Sequence, residues 1–245
     1  IAPDLPHTLN YKGWARQLLT DVLHREPGEA GPLWQDNNLI AFIPDCGFTD
    51  PSYHLPHAYE LFAEYAEDAD QERWREIAGA SRAYLSRAAH PETGLFPEYA
   101  HNDGTPELSW GHGDFYSDAY RCMINLAVDA LWNGPRDWQV EIAERQARLF
   151  ATGGRDSRSH RYALDGTPVG ERALHPTGLT ATAALTYVLA PNADSKQLVE
   201  DYMALDLREV TVQLIDEVAA RGERHRDHVR ALLRVAEDHR KIRLL

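Results

Sequence analysis

The chain has 245 residues, 43% hydrophobic and 26% charged, with a formal net charge of -13; that is too apolar for a disordered tract and too acidic, with no basic stripe interleaved with aromatics, for a nucleic-acid partner. No run of eighteen apolar residues occurs, and the opening "IAPDLPHTLNYKGW" has neither a charged nor an apolar leader region, so no membrane partner is expected. Cys46 and Cys122 are too few for a disulfide framework and are not spaced as a metal pair, which points to a reducing cytoplasm and to no metal or other cofactor.

Along the chain, apolar residues three and four apart predict helices over 11–24, 55–66, 74–89, 117–132, 138–151, 179–189 and much of 197–238. Strand signals are nearly absent. Between these runs, "REPGEAGP", "HPETGLFPEYAHNDGTPE", "WNGPRDW" and "TGGRDSRSH" read as loops. Segments opening "DPSYHLPHAYELF", "FYSDAYRCMINLA" and "HPTGLTATAALTY" recur about every 60 residues, each followed by a more charged helix. In 117–132, Tyr120, Met123, Ile124, Ala127 and Leu131 make one face, with Asp118, Cys122, Asn125 and Asp129 on another, as in an inner helix. The run 138–151 carries Glu141, Glu144, Arg145 and Arg148 around a narrower apolar stripe, as in an outer one. The expected fold is therefore all-α, a ring of helical hairpins of the α/α barrel or toroid kind, in one domain over 1–245 with a charged tail from 192 onward. Six such hairpins need about 360 residues, so the expectation is a barrel short of a hairpin or two.

Asp118 falls in the predicted first turn of its helix, with Ser117 as a candidate N-cap. Unpaired N–H groups and the helix dipole favour a carboxylate there, which serves a structural role and a general base equally. Both readings stand on position alone. Tyr53, His54, Trp110, His112 and Tyr116 place aromatic and polar groups at the entrances of two inner helices, a composition suited to stacking on sugar rings and bonding their hydroxyls.

The stretches "FTDPSYHLPHAYELFAEYA", "HPETGLFPEYA", "GHGDFYSDAYRCMINLAVDALW" and "ALHPTGL" resemble glycoside hydrolase family 8, nearest to its reducing-end xylose-releasing exo-oligoxylanases, over roughly residues 10 to 190. The resemblance implies an (α/α)6 barrel lacking its N-terminal hairpins in this chain, and an inverting mechanism in which an acid protonates the leaving oxygen while a base activates water. It implies Asp118 as that base, Tyr53 holding the water, Arg121 orienting the carboxylate, and His112 and Tyr116 among the substrate contacts; Asp114 is left to shape the loop. Leu174, His175 and Pro176 become the wall that limits the leaving group to one xylose, although Pro176 opening an ordinary helix is the plain alternative. The family's histidine before that tripeptide is Ala173 here, and its N-terminal glutamate motif, the source of the general acid, has no counterpart. Glu98 and Glu107, in the loop before the base, are expected to be solvated.

The implied partner is a xylo-oligosaccharide, with a second polypeptide or a homo-oligomer completing the barrel. A binding-only remnant, another family 8 β-glycanase (endoxylanase, endoglucanase or chitosanase), and an epimerase or isomerase using His54, His57 and His112 are the alternatives. In the tail, His225, His228 and His239 are read as a solvated helical face.

Overall fold

The computed structural model describes residues 10–25, 31–44, 46–109 and 111–205. Most of the expected tail, with His225, His228 and His239, and also Trp110, therefore lie outside the described residues. The chain divides into two compact units, Ile1–Val199 and Glu200–Leu245; of the second, residues 200–205 are described.

The first unit is built from helices α1 (Tyr11–Leu23), α2 (Pro56–Tyr65), α3 (Gln71–Ala88), α4 (Arg121–Asn133), α5 (Asp137–Thr152), α6 (Pro176–Ala184) and α7 (Thr186–Leu189), and from the opening turns of α8 (Ala193–Met203). Local chemistry fixes the helix starts. Asn10 Oδ1 accepts from the Gly13 amide, while Pro56 and Pro176 occupy first-turn positions, where a missing N–H and a fixed φ are no loss. α2, α4 and the α6–α7 pair are neighbours, α3 packs on α2, and α5 packs on α6 and α7, reproducing the expected alternation of inner and outer helices.

Two apolar clusters hold the unit together. Leu85, Phe96, Leu126, Phe150 and Leu179 anchor the larger, and Leu19, Tyr59, Ala63, Trp74 and Ile77 the smaller, with Trp34 edge-on to Trp74 at 5.2 Å. Short antiparallel ribbons, absent from the sequence expectation, tie the loops at one end. β1 (Phe48–Thr49) pairs with β2 (Ala100–His101), and β3 (His160–Tyr162) pairs with β4 (Pro168–Arg172). Phe115 exchanges backbone hydrogen bonds with Tyr162 and so joins the second ribbon.

Three helical expectations change. The run 117–132 begins as a 3-10 turn over Ser117–Tyr120, and α4 starts only at Arg121. Its buried face is Cys122, Met123, Asn125, Leu126, Ala127, Asp129 and Ala130, whereas Ile124 (37% exposed) and Leu131 (67%) lie outside it. Hydrophobicity placed Tyr120, Met123 and Ala127 correctly but not the rest of the face, because the buried polar residues have partners: Asn125 Nδ2 donates to Ser52 O at 2.8 Å, and Asp129 lies among Arg82, Asn133, Arg136 and Gln139. The run 179–189 opens earlier, at Pro176, and breaks into α6 and α7, so Pro176 does begin a helix.

Gly94 marks a close approach between the loop after α3 and α5. It has φ +72°, an added Cβ would lie 2.7 Å from Ile142 O, and Gly94 O accepts from Gln146 Nε2 at 2.7 Å. Gly94→Ala is expected to destabilise the fold by about 1–3 kcal/mol in urea unfolding. A change below about 0.5 kcal/mol would show that the loop relaxes freely.

Candidate active site

The site grows from two short turns. The first, Pro51–Tyr53, is capped by Asp50, whose Oδ1 accepts from the Ser52 amide at 2.7 Å. The turn presents Tyr53, half-buried, beside Arg121. The second is Ser117–Tyr120, preceded by extended Tyr116, with no side-chain cap. Ser117 is therefore not the expected N-cap but the first residue of the turn, at φ +35°. A non-glycine residue there stores about 1–3 kcal/mol of backbone strain, held in place by its surroundings. The consequence is positional: the next residue, Asp118, projects a carboxylate that is 37% exposed.

Arg121 joins the two turns. Its Nη2 lies 3.0 Å from Asp118 Oδ2 and 3.3 Å from Asp50 Oδ2, and its Nε donates to Ser52 Oγ at 3.1 Å. The guanidinium carbon sits 5.8 Å from the Tyr53 ring centre. Behind this group opens an apolar cavity of about 610 Å3, lined by α1, α2 and α4 side chains such as Leu19, Phe62 and Ile124, with Tyr53 and Arg121 on its wall. A low-dielectric wall strengthens the ion contacts beside it and penalises any charge whose partners are incomplete. Asp50 feels both effects. Burial pushes its carboxyl up to about 6, against the hydrogen bonds from Ser52 and the charge of Arg121, while the negative charge of Asp118 adds to the rise. Burial also raises the Tyr53 phenol, reinforced by Asp50.

A row of rings forms one side of the site. Phe42 stacks on Tyr53 (5.8 Å, 20°) and meets Tyr99 at 4.5 Å, and Tyr99 in turn lies 4.4 Å from the His112 ring. Tyr99 is pushed up to about 12, first by burial and then by Glu98, Asp118, Asp50 and Tyr53, all within its electrostatic reach. His112 Nδ1 meets Glu98 Oε2 at 2.5 Å, so Glu98 engages one of the two ring nitrogens. On the flank, the Arg161 guanidinium lies over the Tyr116 ring at 5.1 Å. Its Nε donates to Asp114 Oδ2 at 2.9 Å and its Nη2 to Gly111 O, so Asp114 fastens the loop that leads to Asp118.

Of the expected site residues, Tyr53, Asp118 and Arg121 come together, and His112 reaches the same group through Tyr99. Leu174, His175 and Pro176 form the entry of α6, which packs against the Ser117–Tyr120 turn; Leu174 is half-buried and His175 exposed. His54 does not line a cleft. It is fully buried, shares hydrogen bonds with Thr49 and Ser81, and has its pKa lowered to about 3 by burial and Arg87, so it is a neutral core residue. His57 packs against Trp132, its pKa also lowered by burial, so the paired-histidine bases of an isomerase are not assembled.

Glu98 and Glu107, expected to be solvated, are 5% and 7% exposed. His112 holds Glu98, and Glu107 accepts from the Ser109 side chain and amide. Those bonds lower the Glu107 pKa, the wrong direction for a proton donor. Among the described residues no group of three or more His, Cys, Asp or Glu side chains is placed to hold a metal ion, and no helix is long and apolar enough to cross a membrane. Sequence reasoning missed Phe42, Tyr99 and Asp50. Tyr99 stands within a quoted motif, and Asp50 before Pro51 carries the signature of a cap.

No family model matches the chain. It is 46% identical over 211 residues to the reducing-end xylose-releasing exo-oligoxylanase Rex8A of Paenibacillus barcinonensis, covering 84% of this chain and 55% of that one. It is 48% identical over 178 residues to a reducing end xylose-releasing exo-oligoxylanase of Halalkalibacterium halodurans, covering 72% of this chain and 46% of that protein. The solved structure of Rex8A complexed with xylose matches with a TM-score of 0.77 at 44% identity, over 83% of this chain and 55% of that one. The chain thus spans about half the length of these relatives.

Proposed function

Because the chain belongs to glycoside hydrolase family 8 and is homologous to its reducing-end xylose-releasing exo-oligoxylanases, we propose that it forms the base-bearing part of an inverting glycosidase that releases xylose from the reducing end of β-1,4-xylo-oligosaccharides. The observation that carries this reading is the Asp118 carboxylate, part-exposed and held by Arg121 at 3.0 Å beside Tyr53. In the proposed reaction Asp118 takes a proton from water as the water oxygen attacks the anomeric carbon, and Tyr53 hydrogen-bonds that water. The leaving oxygen is protonated by an acid outside the described residues, across the wider gap that an inverting pair leaves for water. The rings of Tyr99 and Tyr116 offer faces for pyranose stacking, His112 offers a hydroxyl partner, and Leu174, His175 and Pro176 close the leaving-group side.

The acid reaches the site on a second polypeptide or segment that completes the ring. Ile124, Leu131 and Trp132, exposed along α4, offer the apolar surface for it. Two free cysteines, Cys122 buried and Cys46 partly so, suit a reducing compartment such as the cytoplasm.

The test is xylotriose, given to the chain together with the polypeptide or segment that brings the acid, followed by proton NMR at the anomeric positions. Early build-up of α-configured xylobiose together with xylose is the expected result, and Tyr53→Phe is expected to slow it about tenfold by removing one hydrogen bond. β-Configured product would overturn inversion, and release of xylobiose units from the reducing end of longer chains would overturn the limit of one xylose per cleavage. Binding of xylobiose in a calorimeter with no turnover would make the chain a binding-only remnant.

A further inference from the structure

We propose that Asp50 is a positioning residue that sets the strength of the Asp118 base through their shared partner, Arg121. This rests on the assignment of Asp118 as the base, but the geometry behind it does not. A single nitrogen, Arg121 Nη2, lies between Asp118 Oδ2 at 3.0 Å and Asp50 Oδ2 at 3.3 Å. The other oxygen of Asp50 caps the turn that carries Tyr53. One buried carboxylate, its side chain wholly shielded from solvent, therefore touches the supports of both residues assigned to the water.

The charges around it leave Arg121 as the decisive partner. The titratable groups that interact with Asp50 are Arg121 and Cys122 on α4, Asp118 on its 3-10 turn, Tyr53 on the capped turn, Tyr84 on α3 and Tyr99 in the ribbon loop. Of these, Arg121 alone is cationic. When Asp50 is ionised, Arg121 divides its charge between two carboxylates, and Asp118 keeps more of its basicity. When Asp50 is protonated, Arg121 turns wholly to Asp118 and stabilises it as an anion, which makes it a poorer proton acceptor. Burial pushes the Asp50 carboxyl up to about 6, so the hold of Arg121 on Asp118 slackens as pH rises through that value.

Asp50→Asn removes the charge but keeps a capping oxygen for the Ser52 amide. Two readouts on the full chain separate this role from a structural one. The first needs no substrate: the 15N signal of Arg121 Nε, which donates to Ser52 Oγ, is expected to show a step near pH 6 in the wild type that is missing in Asp50→Asn. A wild-type signal without that step, or a step that survives the substitution, overturns the proposal. The second is the pH profile on xylotriose. Asp50→Asn is expected to lower kcat about five- to tenfold above pH 7, to leave KM within twofold, and to abolish the acid limb near pH 6. An unchanged limb, or a loss confined to KM, also overturns it. If neither protein turns over xylotriose even with the acid-bearing polypeptide or segment present, the proposed activity fails, and the pH response of the Arg121 signal alone decides the role of Asp50.

Discussion

Replacing Asp118 by Asn is expected to lower kcat on xylotriose by about a hundred- to ten-thousandfold with little change in KM, the loss typical when a positioned acid or base is removed. The amide has nearly the shape of the carboxylate and still offers Arg121 an oxygen, but it cannot accept the proton that attacking water must shed. The expected loss corresponds to about 3–5 kcal/mol of transition-state stabilisation. Unfolding is not a competing explanation, because the Asp118–Arg121 pair is part-exposed, at 37% and 46%, and such pairs contribute about 0–1 kcal/mol to stability. Thermal melts of the two proteins should therefore superpose within a few degrees. An Asp118→Asn protein that keeps turnover within threefold of the wild type would remove the base from this turn altogether.

Asp129→Ala is expected to destabilise the fold by about 3–5 kcal/mol in urea unfolding at neutral pH. Asp129 has no solvent exposure, and Arg82 grips it from α3 with Nη2 at 2.7 Å and Nε at 3.0 Å, while Gln139, Asn133 and Arg136 fill its remaining acceptor sites. Removing the carboxylate leaves the Arg82 guanidinium, 10% exposed, with only Glu60 beside it. The double variant Arg82→Met/Asp129→Leu should recover much of the loss, because apolar residues that fill the space need no compensating charge. The same pair sets an acid dependence. Burial raises the Asp129 pKa, but hydrogen bonds and charge from Arg82, with Asn133 and Arg136, more than offset it and hold the carboxyl below its ordinary 3.8. Its stabilisation is therefore complete above about pH 4 and is lost as pH falls through the lower, folded-state value. Asp129→Ala should accordingly show a shallower decline below pH 4 than the wild type. A loss under about 1 kcal/mol at neutral pH would mean that Glu60 alone satisfies Arg82.

What sequence could convey follows from range. Helices α2, α3 and α5 stand within a few residues of their expected places because an apolar stripe repeated at three and four is written locally, and Pro56 punctuates it locally too. Tyr53, Asp118 and Arg121 were accessible for the same reason, standing in short motifs of distinctive composition. The turn at Ser117 was not: a serine before an aspartate reads as a cap, and the positive φ that replaces it is imposed by neighbours such as α6 and the β3–β4 ribbon. Asp129 stood on the more polar face of its inner helix, and Arg82, 47 residues earlier, came within reach only on folding. Glu98 needed His112, and Asp50 needed Arg121, each a partner supplied by folding. The two ribbons are too short to leave a period-two signal, and register, not pattern, pairs His160 with Arg172.

The backbone exchange between Phe115 and Tyr162 has a consequence for how such a site changes over generations. Phe115 stands three residues before Asp118. The hairpin it joins runs through Arg172 to Ala173, whose amide donates to Ser159 O, and delivers the chain directly to Leu174. Under the proposed roles, the residue that activates water and the wall that measures the leaving group hang from one ladder. A shift in the β3–β4 register, which sets His160 opposite Arg172, would displace both at once, so selection on product length could not act through that pairing without disturbing turnover. Diversification of chain-length preference is then confined to side-chain exchange at Leu174 and His175, where a lineage can alter what fits while inheriting an unmoved base.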